Sequence, residues 1–288
     1  MELTVKVPGS CGELVQGTHG GTPYLVTCPI NLYTRVTVTD KHKNIIGLGV
    51  KSQAALNRTL HYLGKSEFDF GITLSSELPI GKGMASSSAD IAAVCFAVAA
   101  AYGVELTAPE VSRIAAGIEP TDGVFFENII RINHMTGECL ETMVDFPRLQ
   151  IAVFDVGGAV DTVTFHQRTD LDELSIKNER RTDAAMELIR SSTSPEAWAK
   201  AATESSLANQ TILPKKELPE LIDSAMKRGA LGVNIAHSGT VIGVLFSPET
   251  IQEHIDEIAG RLAAQFKNLQ YCETVELTSG GRIIEKYE

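Results

Sequence analysis

Ten residues, Pro79-Ile80-Gly81-Lys82-Gly83-Met84-Ala85-Ser86-Ser87-Ser88, bring two glycines, a lysine and three successive hydroxyls together. Glycine lets a backbone turn tightly and approach a ligand closely. Before this stretch, Phe68, Phe70, Ile72 and Leu74 alternate as in a half-buried strand. After it, the uncharged run from Ile91 to Val104, bounded by Asp90 and Glu105, is too short to cross a bilayer and suits a buried helix. A strand, a Gly-Ser loop and a helix start thus follow in order. First-turn N–H groups have no partner inside the helix and sit at the positive end of its dipole, which suits a phosphate. The hydroxyls can donate to phosphate oxygens or ligate Mg2+, and Lys82 adds a point charge. A plain capped turn is the alternative, since serine is welcome at an N-cap; the combination favours the phosphate. The loop lacks the Gly-Lys-Ser/Thr of a Walker A sequence, and Ser86 stands where a dinucleotide fingerprint needs its third glycine.

Three further stretches carry polar groups in turn-like settings. Pro8-Gly9-Ser10-Cys11-Gly12-Glu13 is glycine-punctuated with one carboxylate, which can hold an ammonium or a hydroxyl, or be solvated in a tight turn. Cys11 has no nearby cation to activate it and reads as a small pocket-lining residue. Ile118-Glu119-Pro120-Thr121-Asp122-Gly123 is a turn-rich loop in which Asp122 suits an Asx-turn. Between two strand-like segments, His237-Ser238-Gly239 can shape a turn, with His237 either structural or aimed at a site.

The elements that must position these residues follow from periodicity. Strands are expected at Leu3–Val7, Tyr24–Cys28 and Leu32–Thr39, with a break at Pro8–Glu13, and an amphipathic helix over Gly49–Leu63. Thr107 and Pro109 open another helix, ending near Gly117. Strands at Ile129–Ile132 and Cys139–Val144 close a first lobe, residues 1–147. The second, residues 148–288, has strands at Gln150–Val156, Gly232–Ala236, Val241–Phe246 and Gln270–Leu277. Its helices are expected at Leu174–Ser191, Pro195–Asn209, Leu218–Lys227 and Pro248–Phe266. Lys215-Lys216 and Lys227-Arg228 read as solvated helix-end charges.

A chain of 288 residues with 43% hydrophobic and 21% charged content can bury a full core. The net charge of −11 argues against nucleic acid or an anionic membrane as partner. It also requires a nucleotide pocket to make its own positive potential. Five scattered cysteines with no Cys-x-x-Cys, and a start lacking a basic or apolar export signal, fit a reducing cytoplasm.

The central loop resembles the Pro-x-Gly-x-Gly-Leu-x-Ser-Ser phosphate loop of the GHMP small-molecule kinases, with Met84 for Leu and Ala85 for a frequent Gly. Pro8-Gly9…Gly12-Glu13 is similar to the family's N-terminal motif, and the 233–243 stretch to its third, Gly-rich one. The resemblance implies an α+β fold of two lobes, the first ribosomal-protein-like and the second ferredoxin-like. It implies ATP and Mg2+ as cofactors. Pro79, Gly81, Lys82, Gly83, Met84, Ala85, Ser86, Ser87 and Ser88 would hold the nucleotide, with Ser87 on Mg2+. Cys11, Glu13, His237, Ser238 and Gly239 would serve the acceptor substrate, and Asp122 would be the catalytic group aligned on the phosphoryl and the acceptor hydroxyl. Homoserine kinases of the family manage without such an Asp. The wording of Ile-Glu-Pro-Thr-Asp, Gln-Thr-Ile-Leu-Pro-Lys and Asn-Ile-Ala-His-Ser-Gly is similar to the branch that phosphorylates L-threonine in cobalamin biosynthesis. That implies L-threonine as the small-molecule partner; L-serine, homoserine, a polyol, or an inactive sensor remain alternatives. The oligomeric state stays open.

Overall fold

The structure, a computed structural model, describes residues 1–158 and 168–287. Its frame is a long hairpin of β1 (Glu2–His19) and β2 (Thr22–Thr39), turned at Gly20-Gly21 with φ of 56° and 80°. Positive φ at both turn positions matches the right-handed twist of the strands and favours glycine. The expected break at Pro8–Glu13 does not occur. β1 runs through this stretch by shifting register against β2 between Pro8 and Ser10, Ser10 and Glu13, and Glu13 and Val15. Bulges of this kind bend a strand and re-aim its side chains. Here they deliver Glu13 to the join between the two halves of the molecule, where it pairs with Ile235.

The first half adds β3 (Ile45–Ile46), α1 (Val50–Tyr62), β4 (Gly71–Ser76), α2 (Ser86–Ala101), α3 (Ala108–Ala116), β5 (Ile129–Asn133) and β6 (Glu138–Met143). Thr107 and Glu110 form the capping box that starts α3. Phe68 and Phe70 fall outside β4: they meet Tyr102 edge-on, with centroids 6.5 and 5.2 Å from its ring. α2 begins at Ser86, five residues before the apolar run, because Ala85 sits in the left-handed region (φ 55°) and ends the loop there. Every residue from Ile91 to Ala99 is buried, so α2 is apolar all round and forms the middle of the first core.

The second half contains β7 (Gln150–Asp155), α4 (Leu171–Ser191), α5 (Pro195–Ala208), α6 (Leu218–Met226), β8 (Gly232–Ile235), β9 (Val241–Phe246), α7 (Gln252–Gln265), β10 (Gln270–Glu276) and β11 (Ile283–Tyr287). The strands run antiparallel in the order β10-β7-β9-β8, the ferredoxin-like order 4-1-3-2. The α+β fold is one continuous sheet, β10-β7-β9-β8-β1-β2-β4-β3 among the described residues, with β5 on β2 and β11 on β1. β3 and β11 escape the sequence pattern because each is a short strand at a sheet margin with exposed apolar residues. No described helix is long and apolar enough to cross a membrane.

The solvated reading of Lys215 is overturned as well: the residue is buried (5% exposed) and its Nζ donates to the carbonyls of Ala236 and Gly239, both at 2.8 Å. Lys216 and Lys227 are exposed, whereas Arg228 is half-buried and donates to Ser224 O (2.8 Å) and Gln265 Oε1 (3.2 Å).

β11 covers β1 from Glu2 to Lys6 and adds a Lys6–Glu285 ion pair at 2.6 Å. Truncation before Ile283 uncovers that edge for pairing with another chain. The melting midpoint is expected to fall by about 5 °C or more, with higher-mass species in gel filtration; an unchanged melt and a single unchanged peak would show that β11 contributes nothing.

Candidate active site

The loop between β4 and α2 is clasped backbone to backbone from two sides. Ser10 N–H donates to Met84 O (3.0 Å) and Gly12 N–H to Gly83 O (3.3 Å); from the other side Thr240 and Val241 N–H both donate to Lys82 O (2.9 and 3.1 Å). The loop is thus clasped between the β1 bulge and the β8–β9 turn. Gly81 and Gly83 have φ of 73° and 82°. A Cβ on Gly83 would lie 2.3 Å from Ala236 Cβ, and one on Gly239 would lie 2.4 Å from Lys82 O. Close approach of protein to protein therefore demands both glycines. Ala85, at φ 55°, holds a left-handed conformation that glycine adopts at lower cost.

This loop and the start of α2 form one wall of a cleft of about 440 Å³. Gly81, Gly83, Met84, Ala85, Ser86, Ser87, Ser88, Asp122, Glu13 and Ser238 all line it. No side chain caps α2, so its first N–H groups are open to the cleft. Ser88 is committed elsewhere: its hydroxyl donates to Asp122 Oδ2 (3.2 Å) and accepts the Asp122 N–H (3.1 Å). Ser86 and Ser87 are half-buried and make no side-chain hydrogen bond among the described residues.

Five expected site residues lie outside this lining. Lys82 turns away to Asp155 (2.6 Å) and the carbonyl of Gly158 (2.7 Å). Pro79 is exposed beside the loop. Cys11 is fully buried, with its thiol pushed up by burial and then by Glu13. Gly239 packs on the loop backbone. His237 is buried behind Glu13, with Nδ1 3.0 Å from Glu13 Oε2, and lines an adjoining cavity of about 250 Å³ that shares Gln16 and His134 with the cleft.

Four carboxylates, Glu13, Asp90, Glu119 and Asp122, line the cleft, and Lys51 is the one lysine or arginine among its described lining residues. Lys51 is spent on Glu119 Oε2 (2.5 Å), while Glu119 Oε1 is buried with no partner. Burial first, then Glu13 and Glu119, push the Asp122 carboxyl up to about 7 against the Ser88 hydrogen bond. Burial likewise raises Asp90, which accepts a hydrogen bond from Thr34. Glu119, Lys51 and Asp90 were not singled out from the sequence. Glu119 carried a signal, three residues ahead of Asp122 in the same turn; Lys51 and Asp90 carried none beyond helix-end polarity.

Residues 50–126 match the model of the GHMP kinases N terminal domain, and residues 185–268 that of the GHMP kinases C terminal domain. An L-threonine kinase of Citrobacter freundii is 32% identical over 83% of this chain and 85% of its own length. The L-threonine kinase of Salmonella typhimurium is 30% identical over 90% of this chain and 87% of its own. The chain belongs to the GHMP kinase family. A crystal structure of mevalonate kinase shares the fold, with a TM-score of 0.72 at 15% identity over 96% of this chain and 99% of that one. As a GHMP kinase this protein is an ATP-dependent phosphotransferase acting on an alcohol, and its substrate is a small molecule.

The Asp122 shift has a consequence for stability. A carboxyl near 7 in the folded protein and near its ordinary 3.8 unfolded binds its proton more tightly when folded. Stability is therefore lost as pH rises from about 4 through 7, by at most about 4 kcal/mol. In protein free of nucleotide and metal, Asp122→Asn is expected to raise the melting midpoint at pH 8 and much less at pH 5. Equal changes at both pH values would contradict the buried, raised carboxyl.

Proposed function

We propose that this GHMP kinase transfers the γ-phosphoryl group of ATP to the side-chain hydroxyl of L-threonine, giving L-threonine O-3-phosphate. The observation that carries this reading is that Asp122, Glu13 and the open start of α2 face one cleft. Relatives at 30–32% identity that are named L-threonine kinase support the choice of acceptor. The resemblance to the threonine-phosphorylating branch extends the proposal to cobalamin biosynthesis.

The geometry supports the following roles. Backbone N–H groups of Ser86 and Ser87, at the positive end of α2, receive phosphate oxygens. Val50 and Ile80, 89% and 86% exposed at the mouth, offer apolar surface to a purine. Asp122 orients the acceptor hydroxyl. As the new O–P bond forms and the bond to the ADP oxygen breaks, Asp122 accepts the hydroxyl proton. A carboxyl near 7 is suited to this task, because a base works best near the operating pH. Glu13 faces the same space and supplies an anion for the acceptor ammonium.

Mg2+ fits the donor set: the unpartnered Glu119 oxygen and the free Ser86 and Ser87 hydroxyls are hard oxygen ligands in a cleft with surplus negative charge. Ser87 and Glu119 would hold it, and it would neutralise charge on the transferred phosphoryl.

Asp122→Ala is expected to lower kcat by roughly 10²–10⁴ with a modest change in the KM for ATP. Near-normal turnover in a folded variant would remove Asp122 from the reaction. Across acceptors, one methyl in an apolar pocket is worth about 1–3 kcal/mol, so L-serine should be used roughly 10–200-fold less well than L-threonine. 3-Hydroxybutyrate, which leaves Glu13 unpaired, should be rejected more strongly than L-serine. ADP release measured over amino acids, homoserine and polyols tests the order; a better kcat/KM for homoserine or a polyol would sink the threonine assignment.

A further inference from the structure

Behind the cleft wall a chain of hydrogen bonds ends on Glu13. Gln16 N–H donates to Ser205 Oγ (3.0 Å) and Ser205 Oγ meets His237 Nε2 (3.0 Å). His237 Nδ1 lies 3.0 Å from Glu13 Oε2, which also accepts the His237 N–H at 2.8 Å. Nδ1 is flanked by a second acceptor, the carbonyl of Ile235 at 3.3 Å, so Nδ1 carries a proton. Nε2 then accepts from the Ser205 hydroxyl, whose own lone pair is taken by Gln16. Each donor in the chain finds an acceptor.

Ser205, His237 and Glu13 come from α5, the β8–β9 turn and the β1 bulge, and are 0%, 2% and 5% exposed. The Ser-His-Glu order is that of a hydrolase triad, yet Ser205 Oγ is sealed from solvent and no carbonyl substrate can reach it. Its direction is the reverse: the chain fixes Glu13. Oε2 is fully occupied by His237, which leaves Oε1 as the oxygen that the cleft can reach. The burial is costly unless every member is satisfied, so such a chain holds one geometry.

We propose that Ser205 and His237 are positioning residues that fix Glu13 from behind, so that its free oxygen selects an alcohol bearing an ammonium group. This rests on the acceptor reading above. It predicts a loss confined to ammonium-bearing ligands, which a general loosening of the fold would not produce.

The test compares Ser205→Ala, Ser205→Thr and His237→Asn with the wild type; the Asn amide keeps a donor near the Nδ1 position but loses Ser205. L-2-aminobutyrate, which is threonine without its hydroxyl, and butyrate serve as dead-end inhibitors against L-threonine. For Ser205→Ala the KM for L-threonine and the Ki of L-2-aminobutyrate should both rise about tenfold. The Ki of butyrate and the KM for ATP should stay within about twofold, and kcat should change little. Ser205→Thr should restore the wild-type ratio of the two inhibition constants, and His237→Asn, which alters the contact to Glu13 as well as losing Ser205, should shift that ratio at least as far as Ser205→Ala. An equal rise in both inhibition constants, or an unchanged ratio in a variant with a wild-type melt, overturns the inference alone. A wild type that turns over no amino-acid alcohol overturns the acceptor reading and the inference with it.

Discussion

The site depends on a clasp of backbone on backbone. Lys82 O takes two N–H groups from the β8–β9 turn, while Gly83 O and Met84 O take one each from the β1 bulge. Contact at that distance leaves no room for a side chain at Gly83, Gly239 or Gly12, where an added Cβ would lie 2.3–2.4 Å from a neighbouring atom. The glycine at 83 is therefore set by the protein's own turn before any phosphate arrives. The bulges in β1 have the same origin. A regular strand would carry Glu13 along an unbroken register, whereas the shifts between Pro8 and Val15 bring it under the turn that holds His237.

Charge is distributed with the same economy. Lys82 is drawn off by Asp155 and Lys51 by Glu119, so the cleft has little free cationic side chain. What it offers an anion is the fixed start of α2, whose N–H groups do not have to be ordered on binding. Burial first, and then repulsion from Glu13 and Glu119, raises Asp122 into the range where a proton can be exchanged near neutrality. A surface of net charge −11 around such a cleft disfavours a bare polyanion and favours a nucleotide accompanied by a cation.

Most of the fold was legible because its elements are strongly patterned. The apolar stretch of α2, the capping box of α3 and the 4-1-3-2 strands carry periodicity or caps that one sequence displays. The Gly-Ser loop, Glu13 and Asp122 were legible as residue types in turn contexts, and they do share one cleft. What sequence spacing hides is direction and long-range partnership. Lys82 follows a glycine in a phosphate-loop wording, yet Asp155, seventy-three positions on, captures it. Cys11 stands two positions before Glu13, where regular alternation would put both side chains on one face; the register shift between Ser10 and Glu13 breaks that alternation, and Cys11 is buried in the core. Ser205 and Lys215 have no local signal: each acts on a turn some twenty to thirty residues away.

Lys215 shows why such a residue is kept where a solvated charge was expected. The turn after β8 closes loosely, Gly239 N–H reaching Ala236 O at 3.4 Å, so the carbonyls of Ala236 and Gly239 need a further donor. An apolar side chain of similar length would fill the space but leave Gly239 O unpaired and Ala236 O with only that long bond, at a cost of about 1–3 kcal/mol for an unpaired buried carbonyl. The buried ammonium supplies two of its three protons to them. Burial presses its pKa down to about 8 while Glu13 opposes the shift, so the same carboxylate that lines the cleft also steadies the cation that shapes the turn. The segment following α5 thereby grips the turn that clasps the loop between β4 and α2, and the Glu13 side and the α2 side of the cleft are built as one unit.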